Sequence, residues 1–125
     1  MNIKEQNKRI LVVDDEQGLR DLLQMTLEME SYEVKTACNG LEALALLEKE
    51  KFQLVITDVM MPKMDGIKLL EEIKKKDSQI KVIVVTGYGQ VETTDNALKK
   101  GAYECLLKPY SISKVIEVVG KAFEK

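Results

Sequence analysis

Ile10-Leu11-Val12-Val13-Asp14-Asp15-Glu16 is the stretch from which the fold is read. Four aliphatic residues in succession, with no polar alternation, fit a strand buried on both faces, and such strands belong to parallel sheets covered by helices. Similar runs recur at Leu54 to Thr57 and Val82 to Val85, with a fifth strand expected at Tyr103 to Leu107. Glu33 to Ala37 alternates instead and reads as an edge strand. Between these runs, apolar residues return at helical spacing: Leu19, Leu22, Leu23 and Leu27, then Leu41, Leu44 and Leu47, then Ile67, Leu70 and Ile73. The last segment repeats the pattern with Ile112, Val115, Ile116, Val119 and Ala122. Gln90 to Lys100 makes the thinnest helix, since only Val91, Ala97 and Leu98 give it an apolar face, and so little burial lets it move at small cost. Strand and helix alternating in this way predict an α/β, doubly wound parallel sheet of five strands with five helices.

Local chemistry marks the helix starts. Asn39 followed by Glu42 fits a capping box, and Asp65 and Ser111 are good N-cap residues. Lys74, Lys75 and Lys76 end the third helix, where cations suit the helix dipole, and read as a solvated terminus rather than a binding patch.

The composition excludes several function classes. A chain of 125 residues suits one domain, here residues 1–125 with a polar tail over 1–8. It contains no histidine, so a Ser-His or Cys-His pair, a histidine-ligated metal and an imidazole base are all ruled out within it. A net charge of -2 provides no general attraction to a polyanion, so no direct nucleic-acid binding is expected. Cys38 and Cys105 form no C-x-x-C pair and read as two buried thiols in a reducing compartment. The polar start lacks the apolar core of a secretory signal, and no apolar run approaches a membrane span, so a cytoplasmic location is expected.

In an open parallel sheet, ligands bind at the C-terminal strand ends. There the chain places Asp14, Asp15 and Glu16, then Thr57-Asp58, then Thr86-Gly87, then Lys108-Pro109. An aspartate after a strand is commonly a cap or turn residue, and a lone lysine is commonly solvated. Several like charges at one rim need a balancing charge, however, and a hard divalent cation such as Mg2+ supplies it. A carboxylate beside that cation can act as a nucleophile toward phosphorus, with Lys108 and Thr86 positioned to hold phosphoryl oxygens.

These residues resemble the receiver domain of two-component response regulators over nearly the whole chain. The motifs that carry the likeness are Ile10 to Glu16, Asp58-Val59-Met60-Met61-Pro62-Lys63-Met64-Asp65-Gly66, Val85-Thr86-Gly87, and Gly101 to Pro109. The resemblance implies a flavodoxin-like sheet in the order 2-1-3-4-5 and a cis Lys108-Pro109 bond. It implies that Asp58 is the phosphoacceptor, with Thr86 as the switch hydroxyl and Lys108 pairing with the phosphate. Asp15 and Asp58 would bind Mg2+ directly, Asp14 through water, and Met60 through its backbone carbonyl. Expected partners are a sensor histidine kinase or histidine phosphotransfer protein, and an effector domain or downstream protein, with a phosphorylation-dependent homodimer compatible with the family; no membrane partner is implied. Such a protein is a switch rather than an enzyme with a separate substrate, catalysing its own phosphorylation and slow dephosphorylation.

One position departs from the family. Three residues before the lysine, where receivers carry an aromatic side chain that couples to the switch threonine, stands Cys105. Tyr103 and Tyr88 are the nearby aromatics that could substitute, and the thin fourth helix is expected to carry more of the output movement. The stretches Thr86 to Gly89 and Gly101 to Glu104 are similar to receivers of enhancer-dependent activators and hybrid kinases, which suggests a domain excised from a longer chain. A nucleotide-binding protein of similar fold fits less well, because neither G-x-G-x-x-G nor G-x-x-x-x-G-K-[ST] occurs. A haloacid-dehalogenase-like phosphatase needs D-x-D after its first strand, whereas Asp14 and Asp15 are adjacent. The remaining alternative is a degenerate receiver that serves only as a protein-interaction module.

Overall fold

The computed structural model describes residues 8–87 and 91–124. Its elements alternate strictly: β1 (Arg9–Val13), α1 (Gln17–Met29), β2 (Glu33–Ala37), α2 (Gly40–Lys49), β3 (Leu54–Asp58), α3 (Gly66–Lys76), β4 (Lys81–Thr86), α4 (Val91–Lys99), β5 (Glu104–Leu107) and α5 (Ile112–Ala122). The strands form one sheet in the order β2-β1-β3-β4-β5, and every neighbouring pair is parallel. β2 is an edge, as its alternating pattern predicts.

Alternation of side chains along each strand divides the core in two. Ile10, Val12, Leu54, Ile56, Ile83, Val85 and Leu106 pack with Leu23 and Leu27 of α1 and Val115, Val118 and Val119 of α5. On the opposite face Leu11, Val13, Val55, Val82 and Val84 pack with Ala43 of α2, Leu69, Leu70 and Ile73 of α3, and Ala97 of α4. In the first two helices Leu22 and Leu41 of the sequence stripes are exposed, Leu41 because α2 lies on Ala43 and Gly40 instead.

The expected caps form. The Asn39, Asp65 and Ser111 side chains accept from the N–H groups of Glu42, Lys68 and Lys114. The reciprocal half of the capping box is displaced by one residue, since the Glu42 carboxylate accepts from Cys38 N–H at 2.7 Å rather than from Asn39. The lysines ending α3 are not simply solvated. Lys74 Nζ donates to the carbonyl of Ile80 at 2.6 Å, supplying a donor to the α3–β4 turn, and Lys76 pairs with Glu48 of α2. Both cysteines are half-buried and unbridged rather than fully buried.

α4 is the least embedded helix. It buries only Ala97, while Val91 and Leu98 are exposed. Gly101, at φ 105°, ends it: Gly101 N–H donates to Leu98 and Ala102 N–H to Ala97. Among the described residues no helix is long and apolar enough to cross a membrane.

Candidate functional site

β1, β3, β4 and β5 each lead into a polar side chain at the same rim. β1 runs into Asp14, whose N–H donates to Ala37 at the end of β2 and whose Oδ1 accepts from Glu16 N–H at 2.9 Å. That turn leaves Asp14 buried and Asp15 exposed. β3 ends in Asp58, which is buried, and one carboxylate oxygen from each of Asp14, Asp15 and Asp58 lies within 4.8 Å of the others. β5 leads to Lys108, whose Nζ donates to Asp58 Oδ2 at 2.9 Å. The Lys108-Pro109 peptide is cis. Lys108 N–H donates to the carbonyl of Thr86 at 2.8 Å, which ties the end of β5 to that of β4.

Thr86 completes the rim. Its hydroxyl oxygen is buried and has no hydrogen-bond partner among the described residues. A buried hydroxyl without a partner is unfavourable, so the site is suited to a ligand that brings an acceptor. The β3–α3 loop passes close behind the carboxylates. Gly66 N–H donates to Val59 O at 2.9 Å, and a Cβ on Gly66 would stand 2.2 Å from the carbonyl oxygen of Asp58. Met60 is exposed at the mouth of the site, and its N–H reaches Asp58 Oδ1 at 3.4 Å.

The electrostatics follow from this crowding. Burial raises the Asp14 carboxyl above its ordinary value, with Glu16 N–H opposing the shift and Asp58 adding to it. Burial lowers the Lys108 ammonium, but the hydrogen bond and charge of Asp58, with Asp14 behind it, outweigh that and raise it. Oxygen donors of this kind suit a hard divalent cation that retains some of its water, and the donor set fits magnesium.

Sequence reasoning missed three contributors. Gly66 provides the close approach just described. Tyr110 is half-buried beside the site, its phenol raised by burial and by Asp14. Arg20 Nη1 donates to the backbone carbonyl of Asp14 at 2.6 Å, a contact whose only trace in the sequence is a lone cation shortly after three acids. Tyr103, in contrast, does not reach the site. Its N–H donates to Val82 and its ring lies 5.1 Å from Lys81 Nζ, so it sits at the N-terminal end of β4, about 13 Å along the strand from Thr86. Cys105 turns toward α4, with Sγ 3.8 Å from the carbonyl of Thr94. Tyr88 lies outside the described residues.

A family profile described as response regulator receiver domain matches residues 10–120. The chain belongs to that family. The receiver domain is 38% identical over 115 residues to sporulation initiation phosphotransferase F of Bacillus subtilis, covering 92% of this chain and 93% of the relative. It is 36% identical to regulatory protein AtoC of Escherichia coli, covering 93% of this chain but only 25% of that protein. The receiver domain of NtrX from Brucella abortus superposes with a TM-score of 0.88 at 37% identity, covering 93% of this chain and 98% of that one. Two-component signalling is therefore its setting, and receiver domains generally bind Mg2+ at an acidic pocket such as the one formed by Asp14, Asp15 and Asp58.

Proposed function

We propose that Asp58 accepts a phosphoryl group from the phosphohistidine of a sensor histidine kinase or histidine phosphotransfer protein, and that the resulting change at the rim controls an effector. A carboxylate oxygen of Asp58 forms a bond to phosphorus while the phosphorus–nitrogen bond to the donor imidazole breaks. Asp15, Asp58 and the Met60 carbonyl would hold Mg2+ directly, with Asp14 acting through water. Bound there, Mg2+ supplies charge neutralisation for the transferring phosphoryl oxygens. Lys108 pairs with a phosphoryl oxygen as its contact with Asp58 loosens, and Thr86 donates its hydroxyl to another.

The observation that carries this reading is the buried Thr86 hydroxyl, without a partner among the described residues, on the same rim as the Lys108–Asp58 pair. The likeness to sporulation initiation phosphotransferase F, named as a phosphotransferase, supports the same chemistry. AtoC, a regulatory protein of which this chain spans a quarter, supports an output carried by an effector domain or downstream protein. The reading takes residues 1–125 as one receiver unit in the cytoplasm. It assigns output movement to α4 rather than to an aromatic lever, since Cys105 stands at that position and Tyr103 lies far from Thr86.

The test is an amide NMR spectrum with Mg2+ and beryllofluoride. Wild type should show shifts at the rim and along α4, and Asp58→Asn should show none. A response that survives the substitution would sink the assignment.

A further inference from the structure

Arg20 is the cation at the acidic rim for which the phosphoryl chemistry above has no task. Its N–H begins α1 by donating to the Glu16 carbonyl at 3.1 Å. From that position Nη1 reaches back to the Asp14 carbonyl at 2.6 Å. Asp14 is thereby held at three points: its N–H on Ala37 at 3.2 Å, its Oδ1 under Glu16 N–H at 2.9 Å, and its carbonyl under the guanidinium. Asp15 is exposed, and its aim toward Asp58 is set by the main chain that it shares with Asp14.

We infer that Arg20 is a positioning residue for the divalent-cation site, fixing the Asp14 carbonyl so that the turn presents the Asp14 and Asp15 carboxylates together. The inference rests on the reading of the acidic cluster as a magnesium site. Two physical effects of Arg20 have opposite signs, which makes the role measurable. Acting only through space, a guanidinium beside a cation site repels the cation, and its removal would tighten magnesium binding. Acting by holding the ligands' main chain, its removal loosens binding, and outer partners of metal ligands commonly contribute about tenfold to a hundredfold in affinity. The hydrogen bond to Asp14 is made by one nitrogen to one oxygen, so a lysine can replace it where a neutral short side chain cannot.

Magnesium titrations of the full chain, followed by amide NMR, compare wild type, Arg20→Ala and Arg20→Lys, each below the melting temperature measured without metal. Arg20→Ala should raise the magnesium Kd about tenfold, and Arg20→Lys should recover most of the affinity. If Arg20→Ala does not fold, Arg20→Gln takes its place with the same expected weakening. A Kd in Arg20→Ala equal to or below that of wild type overturns the positioning role, as does a loss that Arg20→Lys leaves unrecovered. Failure of wild type itself to bind magnesium removes the metal reading, and the inference with it.

Discussion

Lys108 Nζ and Asp58 Oδ2 meet at 2.9 Å, joining the end of β5 to the end of β3 across β4. The ammonium occupies one oxygen of the acceptor and also repels any cation that shares it. Lys108→Ala should therefore tighten magnesium binding by about fivefold to thirtyfold, since an ammonium at contact range repels a divalent cation by about 2 kcal/mol in a water-like dielectric before salt screens it. The same variant should lose its phosphorylation by acetyl phosphate. Unchanged or weaker magnesium binding would show that Lys108 does not oppose the cation.

Asp14 allows a test of pH dependence in the metal-free protein. Burial holds its carboxyl above the ordinary value in the fold. Protonated Asp14 thus favours the folded state fully below the unfolded value, about 3.9, and that contribution is lost as pH rises through the raised folded value. Asp14→Asn should be more stable than wild type at pH 7, with the difference shrinking toward pH 4. Urea unfolding in a chelator at both pH values measures it, and equal stability at pH 7 would contradict the argument.

Gly66 has no room for a side chain, because its Cβ would stand 2.2 Å from the carbonyl oxygen of Asp58. Gly66→Ala should push the β3–α3 loop off the acceptor strand and lower stability by about 1–3 kcal/mol, the usual range for overpacking. An unchanged urea midpoint would mean that the loop yields without strain.

Cys105 reports on α4. Burial, with Glu104, pushes its thiol up, and Sγ faces Thr94 across the helix–strand contact. In a Cys38→Ser background, labelling by iodoacetamide at neutral pH should be slow, since the thiolate is the reacting form. Magnesium with beryllofluoride should speed it as α4 shifts. Labelling at the same rate in both states would argue against α4 as the moving part.

Much of this was legible in order along the chain. The runs at Ile10, Leu54 and Val82, the edge character of Glu33–Ala37 and the three N-caps all stand where expected, because strand and helix periods and cap chemistry are local. Local patterns fail where a distant neighbour decides. Lys74 looked solvated until the α3–β4 turn supplied carbonyls for it, Leu41 looked buried until α2 settled on Ala43, and Tyr103 looked close to Thr86 until β5 paired with β4.

An alternating α/β chain with three aspartates, a threonine and a lysine at its strand ends could be read from the residues alone, since side-chain periodicity and motif spacing are written residue by residue. What those groups do to one another depends on how the strands and helices pack. Lys108 and Asp58 are 50 residues apart and meet through the strand order, and the packing around Thr86 leaves its hydroxyl without a partner among the described residues. Contacts of that kind arise from the register of parallel strands and the seating of helices, which no window of neighbouring residues encodes.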